Sequence, residues 1–492
     1  MKHNCLKGFL ISLFILIFFS LDANAQPNFV YTNNDRFFTN SVTAFSVSPD
    51  GTLTQVPGSP FLTGGNGRAG GFYATNRINL SVVGTFLFVS NAGSANISVF
   101  SINPANGVLT PVPGSPFPSG GLSGFETSLA VTPDNRFLLA ANSGINNLVT
   151  FSIAANGALT PIPGSPFPLV QTPDGIKVSP DGRFLSVAFV FHDTVGMYSI
   201  GANGSITPVP GSPFLAAAVG MVAGLDMNCA GTLLFGGEAN AGGTNVDVYN
   251  IAPNGALTPV PGSPFNNPGI GDNSNVVLLS PDERFLFASN QDTNTVVVFN
   301  VAANGSLSVV PGSPFPTGAL RSSGMAINRA GTLLYVAHFD NSAVAVLRIA
   351  SNGALTPVPG SPFFTGEQFF SGLVSLVAFP SKSCSTFDFC VQDDSNGTIL
   401  KFNSNTGEYV FMNCRKGITL SGIGAVTKTI NNDFCKVELF DRGIDPKRSD
   451  RTVLALVNPC TGRGDGRVTI NATGQTYLLA DTNIFNNVCA CP

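Results

Sequence analysis

Residues 174–214 read DGIKVSPDGRFLSVAFVFHDTVGMYSIGANGSITPVPGSPF, and this stretch decides the fold. Ile176 to Val178 is a short apolar run, closed by the turn Ser179-Pro180-Asp181-Gly182. Phe184 to Phe189 is a second run, and Thr194 to Ile200 a third with alternating polarity. Asn203-Gly204 then turns the chain into Ser205 to Val209, which Pro210 ends. Pro presets φ for a turn and Gly permits positive φ, so each run is bounded by turn chemistry. Asn-Gly between two such runs is a hairpin signal. A proline inside the fourth run removes a ladder donor, which places that run at an outer edge.

The closing phrase recurs. Its final Phe falls at Phe61, Phe117, Phe167, Phe214, Phe265, Phe315 and Phe363, at intervals of 56, 50, 47, 51, 50 and 48 residues. Four short strands repeated at this period are the mark of propeller blades, and seven copies predict seven blades. Before the first copy stand three strand-like runs, Phe29 to Thr32, Val42 to Val47 and Leu53 to Val56, with no innermost partner. After the last copy comes one innermost-type run, Leu373 to Phe379. The two ends therefore complete one blade between them, which ties the ring and protects its edges. The recurring Ser suits a structural role repeated in every blade, and the Phe is expected to pack between neighbouring blades.

Composition narrows the function. The 492 residues include 24 Lys or Arg and 28 Asp or Glu, a formal charge of −4, with 54 Gly, 35 Pro, 41 Phe and no Trp. So few charges with so much Phe exclude a disordered polyelectrolyte, and no basic surface exists for a nucleic-acid backbone. No run after the N-terminus approaches the roughly 18 apolar residues of a spanning helix. The first 25 residues read as a secretory signal: Lys2 and Lys7, an apolar stretch from Phe9 to Leu21, then Ala23-Asn24-Ala25. Residues 26–383 are read as the propeller and 384–492 as a separate β-sandwich or barrel. That tail carries Cys384, Cys390, Cys414, Cys435, Cys460, Cys489 and Cys491 and no His, which favours disulfides over metal. Seven is odd, so one cysteine is free or pairs elsewhere. Arg463-Gly464-Asp465 is read as part of a turn, as is Gln392 to Gly397, which lacks the oxygen spacing of a calcium loop.

The start Val30-Tyr31-Thr32-Asn33-Asn34 and the blade pattern SPDGRFLxVA…NTVxVF resemble the YVTN-type propellers. Those are similar in turn to the seven-bladed lactonase family that includes 6-phosphogluconolactonase-like enzymes. The resemblance covers roughly residues 27 to 380, and the absence of Trp sets WD40 repeats aside. It implies a site formed by an HPH-like triplet entering an innermost strand and a D-x-G-x-D-R-V-like stretch after the next strand. The matching positions here are Thr172-Pro173-Asp174 and Phe189 to Val195. Asp193 and Val195 match, while Phe189, Phe191 and Thr194 stand for the acid, the glycine and the arginine.

Segments entering innermost strands line one mouth of a propeller channel. There the sequence offers Glu126, Asp174, Asp272 and Arg321 as ligand-binding candidates, with Arg77 slightly further along. Asp174 is the one candidate general base, since it occupies the position of a family histidine. His192 and His338 are read as turn residues. No resident cofactor is expected; carboxylates facing an arginine have the chemistry to bind a cation, sugar or small acid, a divalent cation in the central channel among them. The expectation is thus a monomeric, non-enzymatic binding or scaffold propeller, secreted, periplasmic or on the cell surface, whose partner is a protein or carbohydrate there. The alternative is a lactone hydrolase using Asp174 with Arg321 or a cation, and a third reading has the tail attach the ring to a surface polymer.

Overall fold

In the computed structural model, the quoted stretch folds as five strands: Pro173–Val178, Phe184–Phe189, Thr194–Ile200, Ile206–Pro208 and Phe214–Leu215. They hydrogen-bond in sequence order, and the last two both pair with Thr194–Ile200, one along each half. The fourth run is therefore shorter than its sequence suggested and is followed by a two-residue fifth. The structure describes residues 28–379 except 71–75, 83, 218–220, 239–244, 269–273 and 368–374, and beyond them the backbone of strands between 389 and 483. The signal reading of residues 1–25 and the side chains of all seven tail cysteines lie outside the described residues.

Six further sheets repeat this pattern. Numbered along the chain, blade 1 begins at Asn28 and the innermost strands of blades 2 to 7 are Ile78–Leu80, Thr127–Val131, Pro173–Val178, Val222–Met227, Ser274–Leu279 and Ser322–Ile327. Blade 1 takes its innermost strand, Ser375–Phe379, from the far end of the array, where it pairs antiparallel with Asn28–Asn33. Both termini of the repeat array thus share one sheet, as the sequence predicted.

The core is distributed between blades. Seven hydrophobic clusters each join two neighbours, from blades 1 and 2 round to blades 7 and 1. The repeated Phe of each blade, Phe214 among them, packs against the cluster it shares with the next. The repeated Ser closes the break in the outer edge. Its Oγ accepts the mid-strand N–H of the third strand, as in Val248 to Ser263 and Met197 to Ser212, both at 2.9 Å, and the same bond recurs in every blade. The hydroxyl does what a strand carbonyl would do if the turn did not interrupt it. Gly255 of an Asn-Gly turn has φ +85°, and a Cβ there would sit 2.5 Å from the Phe184 ring of the preceding blade. Packing and backbone conformation both require glycine.

Beyond residue 388 the described backbone forms two antiparallel meanders, of four strands within 389–423 and five within 425–483. Arg463-Gly464-Asp465 begins the strand Arg463–Ile470 and pairs with Leu456–Asn458, so it belongs to a ladder and not to a turn.

Candidate functional site

Every blade alternates direction, so two rims follow from the strand order. The lower rim carries the turns from innermost to second strand, such as Ser179 to Gly182, and the Asn-Gly turns. The upper rim carries the turns from second to third strand and the connections into the next innermost strand. Glu126, Asp174 and Arg321 all enter from the upper rim. Asp272 lies outside the described residues.

Asp174 is 2% exposed and sits in a bulge between Pro173 and Ile176. Glu126 is held by Ser143, which donates its Oγ–H to Oε2 at 3.2 Å, and by two arginines. Arg77 is wholly buried; it reaches Asp35 at 2.6 Å and Glu126 at 3.5 Å, while Arg68 closes on Glu126 from the rim. Asp35 also accepts the Arg68 N–H at 3.1 Å. Burial raises the Asp35 carboxyl, and Arg77 works against that rise. Asp35 comes from blade 1, Arg77 from blade 2 and Glu126 from the approach to blade 3, so one guanidinium ties three blades. Arg321 is elsewhere, 3.4 Å from Asp340 and over the Phe339 ring. Glu126 therefore takes its counter-charge from Arg77 and Arg68.

The last residue of each second strand forms a ring of equivalent positions: Asn33, Asn91, Asn142, Phe189, Glu238, Asn290 and His338. The four asparagines close blade tops; Asn142, for example, donates to Asn147 at 2.8 Å and to the Ser119 carbonyl at 3.1 Å. The other three depart from that role. Phe189 is fully buried in apolar packing. His338 is also buried, and burial lowers its imidazole to about 4. This corrects the turn reading of His338, because the second strand runs through it; His192 does lie in an exposed turn.

Glu238 belongs to a second charged cluster that sequence reasoning missed. It and Asp247 lie diagonally on one face of neighbouring strands, both buried, with Asn245 donating to Glu238 at 3.1 Å and the Tyr249 hydroxyl to Asp247 at 3.0 Å. Burial first, then the Asp247 charge, raises Glu238 to about 7; burial raises Asp247 to about 6. The pair shares its titration, so it holds a proton near neutrality. Aligning the repeats would have flagged Glu238, since it stands where four sister blades carry Asn. Among the described residues, no group of three or more His, Cys, Asp or Glu converges to hold a metal ion.

The upper rim has one more property. Of the twelve exposed large apolar side chains among the described residues, all but Val309 lie on upper-rim connections or at the upper ends of outer strands. They include Phe37, Phe38, Phe125, Phe191, Leu215 and Phe364, from 44% to 77% exposed. Phe37 and Phe38 meet edge to face at 5.0 Å.

A seven-bladed ring closed by strands from both ends, with its polar clusters at one mouth, defines the class of protein. The chain belongs to the lactonase family of seven-bladed β-propellers, whose pattern it matches over residues 21–121, 119–212 and 238–365. Similar solved structures include the Pseudomonas aeruginosa periplasmic gluconolactonase PpgL, 16% identical with TM-score 0.54, covering 71% of this chain and 96% of that one. A Bacteroides fragilis protein provisionally named a 6-phosphogluconolactonase is 18% identical with TM-score 0.57, covering 72% and 98%. A Lactobacillus plantarum protein is 17% identical with TM-score 0.55, covering 72% and 100%. At these identities the likeness is one of fold. No curated protein matches the chain.

Proposed function

We propose that this chain is an exported, non-enzymatic binding propeller that takes a protein or carbohydrate of the cell surface on its upper rim. The observation that carries the reading is the gathering of exposed aromatic and aliphatic side chains on that rim. Exposed apolar side chains concentrated on one rim favour an interaction site there, and aromatic rings supply contact area with little entropy to lose. The polar residues beneath are engaged in structure: Arg77, Asp35 and Glu126 neutralise one another. Phe189 fills the position where the family resemblance implies an acid. Cys229 is disulfide-bonded, which supports an oxidising compartment and hence export.

The alternative, a lactone hydrolase with a diverged site, has one observation in its favour. Glu238 at about 7 is poised as a general base would be. One set of assays separates the two. The purified mature chain is offered sugar and aliphatic lactones beside Asp174→Asn and Glu238→Gln variants, and tested for retention on immobilised polysaccharides and envelope fractions beside Phe191→Ser/Phe364→Ser. Binding without turnover, lost in the double Phe variant, is the expected result. Lactone turnover abolished by either carboxylate substitution would sink the binding reading.

A further inference from the structure

Cys229 is half-buried in the turn Asn228 to Gly231 on the lower rim of blade 5, its N–H held by Glu283 of the neighbouring turn. It is disulfide-bonded, yet every other cysteine of the chain lies outside the described side chains: Cys5, and the seven beyond residue 383. We propose that the lower rim of the ring is the docking surface for the chain's own C-terminal segment, pinned there by a disulfide between Cys229 and one of those seven cysteines. This stands on observations independent of the binding reading above.

Three facts converge on it. The innermost strand of blade 1 ends at Phe379 on the same rim as Cys229, because all innermost strands run the same way. In the other blades a turn follows and returns the chain to the second strand. Blade 1 draws its second strand from the N-terminus, so here the chain leaves the ring from the lower rim. Cys384 follows five residues later, within a reach of about 16–18 Å, and the remaining six cysteines lie further along. Parity agrees: seven tail cysteines leave one without a mate, and Cys229 supplies it.

Surface chemistry completes the case. The lower rim carries close-set acid and base pairs, Asp134 with Arg136, Asp181 with Arg183 and Asp282 with Arg284, all exposed. The last 109 residues are evenly charged, with eleven basic and eleven acidic side chains. A mixed-sign module suits a mixed-sign rim and leaves the apolar upper rim open. In forming the link, two thiols give up two protons and two electrons to a disulfide donor of the exporting compartment, and one S–S bond results.

The test uses the full mature chain, folded oxidatively. Free thiols are alkylated without reduction, the protein is digested with pepsin, and the peptide containing Cys229 is identified by mass spectrometry before and after reduction. A Cys229 peptide joined to one from residues 384–492 supports the proposal. An alkylated Cys229, or a link that appears only in a disulfide-bonded dimer, overturns it. A Cys229→Ser variant gives a second readout. One thiol per denatured chain is expected to titrate where the parent shows none, and its position must fall in the tail; unchanged thiol content would count against the tether.

Discussion

Two buried charge clusters lie under the same rim and solve opposite problems. Across blades 1 to 3, Arg77 stands between Asp35 and Glu126, so each buried charge has an opposite neighbour. In blade 5, Glu238 and Asp247 face one another with no salt bridge among the described residues, and the Tyr249 hydroxyl, the Asn245 amide and the Ala217 backbone donate to them. The first cluster is a joint between blades. The second is a pair of carboxyls that burial pushes toward neutrality. The difference teaches that burial alone does not mark function: what matters is whether the surrounding groups neutralise the charge or leave it to protonation.

The largest expected effect comes from removing the joint. Arg77→Met strands Asp35 in a dry site and leaves Glu126 with Arg68 alone, and breaking a buried pair this way costs about 3–5 kcal/mol. A urea titration showing less than a third of that loss would make the cluster incidental to stability. Next is Glu238→Gln. The folded pKa of Glu238 is raised above its unfolded value, so its contribution is fully present below pH 4.5 and is lost as pH rises through about 7. The amide carries no such penalty. The variant should be more stable than the parent by about 1–3 kcal/mol at pH 8, with the gap closing by pH 4.5; thermal melts across that range check the sign. A double-mutant cycle sharpens this further. Adding Asp247→Asn to Glu238→Gln should gain less than Asp247→Asn does alone, by roughly 0.5–2 kcal/mol, because either substitution already ends the repulsion. Strict additivity would show that the two carboxyls do not sense each other. The smallest effect belongs to Arg68→Ala. Its side chain is 40% exposed, so its pairing with Glu126 is screened and its loss should cost about 0–1 kcal/mol.

The architecture was legible because turn chemistry is local. Ser-Pro-Asp-Gly and Asn-Gly state their conformations within four residues, and seven GSPF copies count the blades. Ring closure followed from which strand type each end lacked. The upper rim was less legible because its contacts are distant in sequence. Glu126 could be singled out, but its counter-ion Arg77 lies 49 residues earlier and is shared with Asp35, earlier still. Asp35 lies in a stretch that reads as an ordinary turn. His338 misled because the repeat alignment shows which residue is unusual but not that the strand extends through it. The exposed phenylalanines escaped notice for another reason. With 41 in the chain, only the fold separates those that pack from those that face water.

Closure of the ring by Ser375–Phe379 also sets an order in time. Synthesis from the N-terminus presents the strands of blade 1 long before residue 375 emerges, so Asn28–Asn33 must wait with one edge unpaired while six blades assemble beside it. An unpaired edge is where strands from other chains add. The chain is thus most vulnerable while it is being made, and its finished state is reached only when the last of the ring has emerged.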